Sequence, residues 1–326
     1  MQNTQETSLK TNFFTEKLFT VIKWLLMLII MGAVYKTFHD KHSQFSDVVR
    51  QLSSISLSQN VDKFLVLFAL IFCNWGCEAK KWQILAQKVE QITFTEAFWS
   101  VLMGLSLGFI TPANLGDFAG RVWRLQKANR VGGMASVLLG NGIQFYVTLL
   151  FGVIAYAIFF QTVITDFDKI VFSVLIFVLL LGAFIFAKSR FFYSYLVRKN
   201  IFKKYQEPLS NLLSFDNQHF WQVFFWSSVR FIIISYQFVL TLEIFKIQTS
   251  ILNLWAVSSL ILMFKTIVPA LNFVSDLGVR EFSAIHYFSF FEVNISAVMV
   301  ATLALWLINI LFPVVVGSFL LLKIKK

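Results

Sequence analysis

Two short stretches of this chain combine residue types that could grip a phosphate. The first reads Pro112-Ala-Asn114-Leu-Gly-Asp117-Phe-Ala-Gly-Arg121, and the second reads Pro269-Ala-Leu-Asn272-Phe-Val-Ser-Asp276-Leu-Gly-Val-Arg280-Glu281. An arginine fork binds phosphate through two parallel N–H bonds, which a lysine cannot do. Both stretches follow an apolar run, where an ionised side chain is costly and is a functional hypothesis by default. Asp117, Asp276 and Glu281 have three readings: they hold the arginines between substrates, meet a cationic headgroup, or carry protons. A structural alternative is a fixed Arg–carboxylate pair that holds two helices together. Arg230, inside a later apolar stretch, is expected to face the same cavity, and Lys265, just before the second proline, either lines it or snorkels. The candidate substrate-binding set is therefore Arg121, Arg280, Asp117, Asp276, Glu281, Asn114, Pro112, Pro269, Arg230 and Lys265.

Other chemistry has little to stand on. His39, His42, His219 and His286 show no metal-ligand spacing. Cys73 and Cys77, four apart, share a helix face without a nearby histidine, so they read as two buried thiols and not as a zinc site. No catalytic residue, metal or cofactor is expected.

The elements that must carry these residues are membrane helices. The chain has 326 residues, 57% of them hydrophobic and 14% charged, with a mean hydropathy of +0.71. Soluble domains are nearer a quarter charged. Several apolar runs are long enough to cross a hydrocarbon core of roughly 30 Å. A membrane barrel would alternate apolar and polar residues in segments of about ten, which this chain does not do. The net charge of +11 then reads as cytoplasmic loop charge meeting anionic lipid, and nucleic acid is not an expected partner.

In order, the expected spans are 18–36, 63–79, 131–160, 170–187, 220–245 and 295–322. The first shows no small-residue cleavage site after it and reads as uncleaved. Broken segments at 97–125 and 251–291 are expected to re-enter without crossing. Glu78-Ala-Lys-Lys-Trp82 reads as a cytoplasmic helix end, and Glu243 as lying near the external interface. With both termini in the cytoplasm, eighteen Lys and Arg fall on the cytoplasmic side and six outside, a strong bias by the positive-inside rule. The expected fold is an all-α polytopic membrane protein of about six full spans plus two re-entrant broken helices. Its domains are a cytoplasmic segment 1–17, one membrane domain 18–322 and a basic tail 323–326.

The two broken segments match. Each runs Pro-Ala, then Asn, Asp, Gly and Arg, and they hold two of only four prolines in the chain. In the topology above they enter from opposite sides, so the halves 63–160 and 220–322 read as an inverted-topology repeat, whose broken helices meet at a midplane site. Irregular backbone is tolerated at that depth only beside protein or a water-filled cavity. Gly104/Gly108 and Gly116/Gly120, each pair four apart, suit close helix contact.

Glu78-Ala-Lys-Lys-Trp82, the Gly108…Thr111-Pro112…Gly116-Asp117…Gly120-Arg121 run and Leu277-Gly-Val-Arg-Glu281 together resemble the flippase-like transmembrane domain of lysylphosphatidylglycerol synthases and its stand-alone relatives. The resemblance spans roughly 18–322. It departs at Asp117, where the family usually shows Glu, and at Asn272-Phe-Val-Ser-Asp276, where the family tends toward a Gly-rich run. It implies a transporter-like module without synthase activity, since the chain ends at Lys326 with no soluble domain. The expected function is movement of an anionic or aminoacylated phospholipid, or a polyprenyl-phosphate-linked lipid, between leaflets of the plasma membrane. Cell-envelope biosynthetic enzymes are the expected protein partners. The alternatives are an integral-membrane glycosyltransferase or an accessory subunit of envelope assembly.

Overall fold

The computed structural model describes residues 57–159, 166–188, 217–268 and 273–322, together with isolated positions between 21 and 50. All of its regular elements are helices: α1 Leu57–Ala86, α2 Phe94–Ile110, α3 Leu115–Val122, α4 Arg130–Phe159, α5 Asp166–Ala187, α6 Asn217–Ile244, α7 Ile251–Ile267, α8 Phe273–Phe288, α9 Ile295–Trp306 and α10 Phe312–Leu322. Among the described residues, five helical stretches are long and apolar enough to cross a membrane: Asn60–Ala86, Lys127–Phe159, Lys169–Phe186, Asn217–Ile244 and Ile295–Leu322. They correspond to five of the six spans read from the sequence. The remaining one, 18–36, is described only at isolated helical positions, and of the basic loop at 188–204 only Lys188 is among the described residues.

The first broken segment folds back on itself. A capping box starts α2: the Glu96 N–H donates to the Thr93 hydroxyl, and the Glu96 carboxylate accepts from the Thr93 N–H at 2.9 Å. Its 17 residues rise about 25 Å at 1.5 Å each, just short of a full crossing. It stops at Thr111 because Pro112 has no N–H to continue it. Ala113 and Asn114 then both take left-handed backbone, at φ 50° and 57°, and the chain reverses into α3. The two helices run antiparallel, backbone against backbone. A Cβ on Gly120 would strike the backbone of Gly104, and one on Gly116 would strike the Leu107 carbonyl. Here the glycines are required, as the spacing suggested.

The second segment has the same plan with different contacts. Lys265 of α7 reaches Asp276 of α8, and Phe264 stacks near Phe282, so this pair is antiparallel too. Pro269 and Asn272, the expected turn residues, lie outside the described residues.

Each hairpin packs on the span that follows the other. Gly317 of α10 sits against Leu102 and Ser106 of α2, and the Ser106 hydroxyl donates to the Val314 carbonyl at 2.7 Å. Gly152 of α4 sits against Met263 of α7. Between these contacts α1 lies along α6. Two ion pairs bridge them at different depths, Lys63–Glu243 at 2.9 Å and Glu78–Arg230 at 3.0 Å. The α5 helix is apolar and exposed along most of its length, as a lipid-facing span would be.

Three local expectations change. The helix α1 runs on to Ala86, past the expected end at 79, and its last turns are buried in the fold. The last span is interrupted by a π-helical turn, Leu307–Leu311. Cys77 is buried but Cys73 is exposed, so the thiols are not a buried pair.

Candidate functional site

One carboxylate organises the polar interior. Glu78, only 4% exposed, accepts Arg121 Nη1 of α3 on its Oε1 at 2.6 Å. Its Oε2 faces Lys81 Nζ at 2.7 Å and Arg230 Nη1 at 3.0 Å. Three cations from three helices thus meet on one side chain. Arg121 spends its Nε on Asp117 Oδ1, one turn earlier on α3, at 2.8 Å. Lys81 also donates to Gln144 Oε1 of α4 at 2.7 Å. Arg230 donates its Nε to Asn74 Oδ1 at 3.1 Å and lies over the Trp75 ring at 5.4 Å.

The local fold explains why these groups converge. Glu78 and Lys81 are three apart on α1 and so share a face. The glycine-lined contact lets α3 lie close enough to α2 for Arg121 to pass beside it: a Cβ on Gly104 would sit 3.2 Å from the Arg121 Cγ and 2.6 Å from the Asp117 carboxylate. Trp82 fastens α1 to α2 by donating its indole N–H to the Ser100 hydroxyl at 3.0 Å.

The second cluster repeats part of this pattern. Arg280 Nε donates to Asp276 Oδ2 at 3.0 Å, again one turn earlier on the same helix. Lys265 Nζ lies 3.4 Å from the other oxygen of Asp276. Arg280 and Asp276 are buried, and Glu281 is buried beside them. Lys265 keeps a side-chain exposure of 32% and lies within electrostatic reach of Arg230, which connects the two clusters.

Electrically the first cluster is unbalanced. Among the described residues, the carboxylates that Lys81, Arg121 and Arg230 meet are Glu78 and Asp117. Removing charges from water costs several kcal/mol per ion, so an excess cation in a dry interior is expensive unless an anion arrives. What the arrangement can do is hold a phosphate or another compact anion.

The structure thus brings Asp117, Arg121 and Arg230 together, and Lys265, Asp276 and Arg280 together. Pro112 and Asn114 are exposed on the turn and shape the backbone there, apart from the ion pairs. Glu243 is half-buried against Lys63. The reading of Glu78 to Trp82 as a helix end is corrected: α1 runs on to Ala86, and Glu78, Lys81 and Trp82 are all buried where α2 and α4 pack on this part of α1. Glu78, the carboxylate on which the cluster converges, was not in the candidate set. Its signal was present, a carboxylate within an apolar run with a cation one turn on, but the adjacent Lys80-Lys81-Trp82 looks like a membrane border.

The sequence model of the family described as "Lysylphosphatidylglycerol synthase TM region" matches residues 18–317. A search of curated proteins found no match.

Proposed function

This chain belongs to the lysylphosphatidylglycerol synthase TM region family, and on that premise we propose that it is a flippase-type transporter of an anionic lipid. The observation that carries the reading is the convergence of Lys81, Arg121 and Arg230 on the buried carboxylate of Glu78. In this reading Glu78 holds the place of a substrate. A lipid phosphate entering between the hairpins takes over the N–H donors that Glu78 occupies, and the acyl chains stay in the bilayer. Arg121 and Arg280 are the principal phosphate ligands, and Asp117 and Asp276 keep each arginine extended when the site is empty. Arg230 reaches across to Glu78 and Asn74 of the first half, and Lys265 joins the site through Asp276 of its own half.

The reciprocal packing of each hairpin on the other half's span supports an inverted repeat, with the substrate between the halves. The basic bias read from the sequence supports a plasma-membrane protein, a bacterial inner-membrane protein by its family, with both termini cytoplasmic. No catalysis is assigned to it. The substrate classes are an anionic or aminoacylated phospholipid and a polyprenyl-phosphate-linked lipid, and the partners are cell-envelope biosynthetic enzymes.

Proteoliposomes carrying the purified protein should move a fluorescent anionic phospholipid between leaflets. Arg121→Ala and Arg280→Ala should each slow that movement at least tenfold while the protein still elutes as one folded species. Unchanged movement in both variants would remove the assigned role of the arginines. Turnover of a sugar-phosphate donor by the purified protein would replace the transporter reading with the glycosyltransferase one.

A further inference from the structure

The π-helical turn at Leu307–Leu311 has a local cause. Pro313 has no N–H, and its ring crowds the carbonyl four residues back, that of Asn309. The helix widens instead, and the Phe312 N–H reaches the Leu307 carbonyl five residues back. Such turns are rare and concentrate at functional sites. This one brings Asn309, which is 1% exposed, against α1.

From Asn309 a chain of hydrogen bonds runs to the candidate site, and its polarity is set at one end. The Nε of arginine can only donate. Arg230 Nε donates to Asn74 Oδ1 at 3.1 Å, so Asn74 must turn its NH2 group away. That NH2 donates to Asn309 Oδ1 at 3.1 Å. The NH2 of Asn309 is then buried without an acceptor among the described residues. A stranded donor costs free energy, and flipping the Asn309 amide would only set two NH2 groups against each other. The arrangement favours the order at Arg230 over the satisfaction of Asn309.

We propose that Asn309 is a positioning residue. Acting through Asn74, it holds the rotation of the Arg230 guanidinium. With Nε donating to Asn74, Nη1 in an ion pair with Glu78 and one face over Trp75, the outer N–H groups are the ones left to meet a lipid phosphate. The Arg230 side chain is 20% exposed, so it is not sealed in the interior. The inference rests on the transporter reading for its purpose, but the coupling from Asn309 to Arg230 is measurable by itself.

The test labels arginine Nε with ¹⁵N in the full-length protein in detergent and assigns the Arg230 signal by its loss in Arg230→Lys. Asn309→Leu, which removes the acceptor at similar size, should shift the Arg230 Nε signal and slow movement of a fluorescent anionic phospholipid about tenfold. Asn309→Asp keeps an oxygen for Asn74 in either protonation state, so it should keep the wild-type Arg230 signal and stay within about threefold of wild-type movement. An Arg230 signal unchanged in Asn309→Leu overturns the proposal, as does an Asn309→Asp variant as slow as the leucine variant. If Asn309→Leu does not fold, Asn309→Ala, which removes the same acceptor, carries the same expectation for the signal and the same power to overturn it. Wild-type protein that moves no lipid defeats the transporter reading, while the signal still decides the positioning role.

Discussion

The two hairpins share a plan and differ in how they are closed. In α2–α3 the helices touch through glycine, backbone to backbone, and Arg121 is held by carboxylates from two elements, Asp117 and Glu78. In α7–α8 the matching glycine, Gly278, has nothing within 4 Å of where a Cβ would stand. Arg280 is met by Asp276 of its own helix, and Asp276 is shared with the partly exposed Lys265. The same pattern of Pro, Asn, Asp, Gly and Arg thus yields one locked hairpin and one looser one. Spacing within a motif sets which charges pair along a helix, but the residues opposite decide how firmly the helix is held.

The sharpest way to break this contrast is to add a side chain at the two glycines. Gly120→Val should abolish recovery of folded protein, because its Cβ would overlap the backbone of Gly104. Gly278→Ala meets open space and should raise stability, by up to about 1 kcal/mol from helix propensity alone. Thermal aggregation followed by size-exclusion chromatography would check both, and equal losses at the two positions would end the distinction.

The next effect lies in the carboxylates. Glu78→Ala leaves two buried cations, Lys81 and Arg121, and the partly exposed Arg230 short of a partner and should cost on the order of 3–5 kcal/mol. Asp276→Ala leaves Arg280 and a partly exposed lysine, so its loss should be about half as large by the same reasoning. The same melting measurement ranks them, and a reversed order would move the centre of the site to the second hairpin. The smallest effect belongs to Lys63→Ala. Its pair with Glu243 is one-third exposed on each side, and such a pair contributes at most about 1 kcal/mol.

Much of this fold was legible from residue type. The break at Pro112, the glycines four apart and the Asp-to-Arg spacing of four read directly into the α2–α3 turn, its close contact and its ion pair. Glu78 was harder because its partners Arg121 and Arg230 are 43 and 152 positions away, and only tertiary packing brings them in. Lys81 carried a misleading local signal, since a lysine beside Lys80 and Trp82 resembles a membrane border until α2 and α4 pack on this part of α1. Asn74 and Asn309 were invisible for a further reason. A π turn leaves no mark on hydrophobic periodicity, although Pro313 inside the last apolar run was a cue that the helix could not continue unchanged.

The two bridges between α1 and α6 constrain motion as well as stability. Lys63 and Glu78 are 15 residues apart on α1, and Glu243 and Arg230 are 13 apart on α6. At 1.5 Å per residue these are lengths of about 22 and 20 Å, nearly equal rulers laid side by side in opposite directions. Sliding one helix along the other by a single turn, about 5.4 Å, would pull both bridges apart at once. The two bridges together therefore fix the register of α1 on α6, so that either helix carries the other with it.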